Sequence, residues 1–121
     1  MNIKDLENSF DWKEAFTFSD GTSLDEGSDS FAFGIDDIKK ILYAEDGGND
    51  GPSWIIMVKL KNNQYGFLTA WCDFTGWGCQ DGGHSYVSKS KKKLIRYGLG
   101  EDDRKRFGIS LPDDFQIDSK H

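Results

Sequence analysis

Two apolar runs joined by three turn-forming residues constrain this chain more than any other part of it. Residues 53–60 read Ser-Trp-Ile-Ile-Met-Val-Lys-Leu, residues 64–72 read Gln-Tyr-Gly-Phe-Leu-Thr-Ala-Trp-Cys, and Lys61, Asn62 and Asn63 lie between them. β-Branched and aromatic side chains fit a pleated, half-buried surface, and Asn tolerates the left-handed backbone of a tight connection. The pattern predicts an antiparallel hairpin over about residues 53–72. Alternation sets Trp54, Ile56, Val58 and Leu60 on one face of the first strand and Ile55 and Met57 on the other, so that strand should be covered on both sides. Tyr65, Phe67, Thr69 and Trp71 share one face of the second, and Trp71 is expected in the sheet core.

Around this hairpin the elements are shorter. Residues 3–18 mix apolar and charged positions and permit a short helix. Residues 19–30 are small, polar and acidic, and read as a mobile loop. In residues 35–43, Ile35, Ile38, Ile41 and Leu42 fall on one helical face, with acids early and lysines later, which predicts a helix packed on the sheet. The Gly-rich residues 45–52 break it. A third strand is expected at 84–88, then a basic helix over 89–97 closed by Gly98, a second helix over 101–107 closed by Gly108, and an extended tail at 112–121. The expectation is an α+β fold, one domain over residues 1–121, in which a small antiparallel sheet packs with short helices.

Of 121 residues, 15 are Lys or Arg and 21 are Asp or Glu, a formal charge of −6. That balance disfavours phosphate backbones and anionic lipid, so neither nucleic acid nor a membrane is the expected direct partner, while a basic protein surface is. No apolar run reaches the ~18 residues of a membrane span and the first residues lack a signal-peptide core, which points to the cytoplasm. There both cysteines would stay reduced, although C-x6-C spacing alone leaves them free, paired or metal-bound.

Half of the four tryptophans, both cysteines and one of two histidines crowd into residues 71–84, Trp-Cys-Asp-Phe-Thr-Gly-Trp-Gly-Cys-Gln-Asp-Gly-Gly-His. Read as a glycine-rich loop, this is the candidate binding site, with Asp73, Phe74, Trp77, Gln80 and Asp81 as its residues. Trp77, between two glycines, either projects as an anchor or folds back as a plug over the sheet end. Cys72, Cys79 and His84 give zinc three obvious ligands where a structural site needs four. No nucleophile elbow, phosphate loop or zinc-hydrolase motif surrounds them, so no catalytic residue, metal or cofactor is assigned; a small Cys/His-dependent enzyme or metal protein is the alternative. Residues 46–51 resemble a calcium loop only superficially, because the twelfth position is Met57 where a bidentate acid belongs.

Residues 71–80 resemble a group of small uncharacterised bacteriophage and bacterial proteins bearing a Trp-x-Asp-aromatic-Thr-Gly-Trp-x-Cys-Gln signature, and the similarity runs from about Asp46 through Gly108. The resemblance implies a phage or mobile-element origin and, by analogy, a nonenzymatic accessory factor that binds a host or phage protein, modulating or inhibiting a host enzyme or defence complex. It carries over no catalytic residue.

Overall fold

A computed structural model describes residues 1–109, apart from the side chain of Cys79. Helices α1 (Ile3–Glu7) and α2 (Phe10–Thr17) come first, each started by a side chain that accepts a backbone N–H, Asn2 from Asp5 and Ser9 from Trp12. Strand β1 (Asp20–Ser23) follows, then a long connection and a 3₁₀ turn (Ile35–Asp37). Strands β2 (Ile38–Glu45), β3 (Trp54–Leu60), β4 (Tyr65–Asp73) and β5 (Gly76–Ser88) lead to α3 (Lys91–Lys93), which runs on as a π-helical turn (Leu94–Gly98), and to α4 (Glu101–Arg106). The expected tail at 112–121 lies outside the described residues.

The sheet is larger than the small antiparallel one expected. Among the described residues it has five strands in the order β1-β5-β4-β3-β2 and is mixed, because β1 runs parallel to β5 while the other pairs are antiparallel. The hairpin of β3 and β4 sits inside it, turned by Asn63 at φ 70°. Part of the polar stretch expected to be a loop is thus an edge strand, β1.

Residues 35–43 are mostly a strand, not a helix. Strand β2 is shifted in register twice against β3, between Ile38 and Lys40 and again between Ile41 and Tyr43. Each bulge inserts a residue, so the side chains on the buried face fall at Ile38, Ile41 and Ala44, opposite Leu60, Val58 and Ile56. A strand with two bulges has a period of three, which imitates one side of a helix. Those bulges and the exposed Lys39 and Lys40 also guard this sheet edge against further pairing.

The third strand is 13 residues long, from Gly76 to Ser88, and absorbs the supposed glycine-rich loop. Its glycines make room in a central strand. A Cβ at Gly83 would lie 2.2 Å from Ser19 Oγ, and one at Gly82 would lie 2.7 Å from Trp71 Cζ2.

Apolar side chains fill both faces. Under α1 and α2, Leu6, Trp12, Ala15 and Phe33 pack on Trp54, Ile56, Val58, Leu68, Ala70 and Cys72. On the opposite face Leu94 and Leu99, joined by the half-buried Phe107 and Ile109, cover Ile55, Met57 and Phe67. Ile55, Met57 and Val58 are fully buried, the double coverage that a nearly unbroken apolar run requires.

Candidate functional site

Strands β4 and β5 are joined by only Phe74 and Thr75, between the paired residues Asp73 and Gly76. Asp73 Oδ1 accepts hydrogen bonds from the Thr75 amide at 3.0 Å and the Thr75 hydroxyl at 2.5 Å, and Gly76 takes φ +93° to close the turn. With its backbone fixed, Phe74 is left 75% exposed, the most exposed large apolar side chain among the described residues. Gln80 is exposed on β5, and Asp81 accepts the amide proton of Gly78, itself at φ +98°.

Trp77 folds back. Its ring stacks on Phe18 with centroids 6.1 Å apart and planes at 1°, and meets Trp54 at 5.0 Å, while its Nε1–H donates to Asp11 Oδ1 at 3.0 Å. Of the five site residues read from the sequence, the turn therefore holds Asp73 and Phe74 at its tip, with Gln80 and Asp81 along the strand, and Trp77 serves the core beside α2. Trp12 is anchored in the same way, its Nε1–H donating to Asp46 Oδ1 at 2.7 Å.

The cysteine and histidine readings separate. Strand alternation sends Cys72 to the face under α1 and α2, where it is buried and its Sγ donates to Asn49 Oδ1 at 3.2 Å. Burial pushes the Cys72 thiol pKa up, and the carboxylates of Asp11, Asp73 and Asp81 push it further, so it is held as a thiol. His84 projects from the other face, against Trp71. The Cys79 side chain lies outside the described residues. Among the described residues no three His, Cys, Asp or Glu side chains gather as metal ligands.

One cluster escaped sequence reasoning. Trp71, expected in the core, is 40% exposed, its ring centroid lies 5.6 Å from that of His84, and His84 Nδ1 lies 3.0 Å from Asp20 Oδ1. Asp20 and His84 are neighbours only because β1 pairs with β5 across 64 positions of sequence. The polar character of residues 19–30 gave no hint of that pairing.

Charge is organised at the other end of β5 as well. Asp25 is partly buried, which opposes its ionisation, yet the Lys89 amide at 2.8 Å, the Ser88 hydroxyl at 2.7 Å and the ammonium groups of Lys93 and Lys89 outweigh burial and lower its pKa. This carboxylate ties the connection after β1 to the start of α3.

No protein-family model, curated protein or solved structure matches this chain. Among the described residues no helix is long and apolar enough to cross a membrane.

Proposed function

We propose that this chain is a nonenzymatic protein-binding accessory factor of the cytoplasm, a phage-encoded modulator or inhibitor of a host enzyme or defence complex. The observation that carries the reading is Phe74, an aromatic side chain 75% exposed on a two-residue turn whose backbone is already fixed. Aromatic anchors on preordered backbone give binding energy at low entropic cost. Asp73 and Gln80 supply a polar rim, and the net charge of −6 favours encounter with a basic surface. The phage origin rests on the resemblance carried by residues 71–80. Trp77 acts here by holding the hairpin, and Phe74 takes the anchoring role.

The test is quantitative capture by the tagged chain and its Phe74→Ala variant in a bacterial host, followed by affinity measurement on the recovered partner. Loss of a central aromatic anchor costs about 2 kcal/mol or more, roughly a 30-fold weaker complex. An unchanged far-ultraviolet circular dichroism spectrum shows that the variant is folded. Retention of full affinity by folded Phe74→Ala refutes the assignment of the interface.

A further inference from the structure

Among the described residues, the face of the sheet that carries α3 and α4 is left uncovered at one end, where Trp71, His84 and Asp20 are exposed. There Thr69, His84 and Asp20 form a row across β4, β5 and β1, and Trp71 stands two residues further along β4. Trp71 is paired with Gly82, and the 2.7 Å separation between its Cζ2 and the place a Cβ would occupy means that the indole lies down across the bare backbone of β5. One face of the ring is used against that backbone and the side chain remains 40% exposed. The imidazole of His84 rises beside it, tilted by 54°. Asp20 fixes that imidazole through Nδ1, and the Asp20 carbonyl is itself held by the Ser85 hydroxyl at 2.6 Å. The result is an aromatic floor with a polar wall, in which the His84 and Asp20 side chains are 51% and 66% exposed.

We propose that Trp71, His84 and Asp20 form a binding site for a pyranose ring of a neutral oligosaccharide. The C–H face of a sugar ring is an apolar plate with slightly positive hydrogens, complementary to the negative face of an indole. In the tautomer whose Nδ1–H donates to Asp20, His84 presents a lone pair on Nε2, and Asp20 keeps acceptor capacity on its second oxygen; both suit hydroxyl donors. Among the described residues Nε2 has no partner. Charge selects among flat ligands. A nucleotide or phosphorylated sugar would bring its phosphate to an exposed carboxylate on a chain of net charge −6. A guanidinium would have to share Asp20 with His84. A neutral polyol meets neither obstacle. This site is separate from the Phe74 tip and does not depend on the function proposed for it.

The experiment is a titration of the ¹⁵N-labelled full chain with maltopentaose, cellopentaose, xylopentaose and chitopentaose in its N-acetylated form, with arginine amide and inorganic phosphate as charged controls. The indole N–H resonances of the four tryptophans report separately. The expected result is that at least one neutral pentasaccharide shifts the Trp71 indole and the His84 ring while the buried Trp12 and Trp54 stay still. Trp71→Ala should weaken that binding by about ten-fold or more, and His84→Ala and Asp20→Asn by several-fold. The two polar variants alter exposed side chains, so they keep the test decisive if Trp71→Ala fails to fold. No shift of the Trp71 indole with any of the sugars overturns the proposal. So does a shift with arginine amide alone, or wild-type affinity in both His84→Ala and Asp20→Asn.

Discussion

Gly83→Ala tests whether the glycine-rich stretch is a central strand with no room to spare. Gly83 has no positive φ, so alanine suits its backbone and any cost must come from space. The added Cβ would lie 2.2 Å from Ser19 Oγ, with Ala70 Cβ and the Thr69 carbonyl oxygen next at 3.1 Å. Ser19 is buried and cannot simply swing away, because its hydroxyl donates to the Ala15 carbonyl at 2.6 Å at the end of α2. Overpacking of this kind costs about 2–3 kcal/mol. Ser19→Ala alone removes one buried hydrogen bond and costs about 1 kcal/mol. In the double variant the 2.2 Å clash is gone and the nearest neighbours stand at 3.1 Å, so the pair should cost only about 1–2 kcal/mol where simple addition gives about 3–4. The assay is urea unfolding followed by tryptophan fluorescence, with equal m-values required of all four proteins. Additivity within about 0.5 kcal/mol would refute the reasoning, since it would mean that Ser19 Oγ is not what fills the space above Gly83.

Two further outcomes follow from the same structure. Trp77→Ala should destabilise the fold by about 2–4 kcal/mol, through lost packing on Phe18 and Trp54 and an abandoned Asp11 acceptor, whereas an exposed anchor would lose under about 0.5 kcal/mol; denaturant midpoints separate the two. Asp25, with its folded pKa below the ordinary 3.8, contributes stability that is fully present above the unfolded carboxylate pKa and is lost as pH falls through the folded value. The stability gap between wild type and Asp25→Asn should therefore be constant at neutral pH and shrink on acidification, and a gap that widens as pH falls would contradict the pairing with Ser88 and Lys89.

Strand chemistry was legible in the sequence wherever the period was two. Residues 54–60 are a nearly unbroken apolar run and residues 65–73 are rich in aromatic and β-compatible side chains, and they pair as the hairpin with successive side chains on opposite faces, both of them covered. The reading failed at β2, where two bulges turned a period of two into three, a change that only the partner strand reveals. It failed again at Gly82 and Gly83, since a glycine that admits a neighbouring side chain looks the same in sequence as one that permits a loop. Within the site, the exposure of Phe74 follows from a turn that the neighbouring glycines half disclosed. The Trp71–His84–Asp20 cluster depends on a parallel pairing between β1 and β5, which no local pattern encodes.

The aromatic residues of the 71–80 stretch thus divide their work by the geometry of one hairpin. Trp71 lies on one face against Gly82, Trp77 is pinned on the other by Phe18, Trp54 and Asp11, and Phe74 sits between them at the turn. The ladder is irregular near the tip, where Cys72 pairs with Asp81 but Asp73 pairs with Gly76, and the packing of Trp71 and Trp77 on opposite faces braces the hairpin around that irregularity. On the binding role proposed above, such bracing would lower the entropy lost on association and suit a single aromatic side chain to act as an anchor. Under that proposal the sequence cost of the site lies mainly away from the contact: two tryptophans pack on the hairpin, and Gly82 makes room for one of them, around a single exposed phenylalanine.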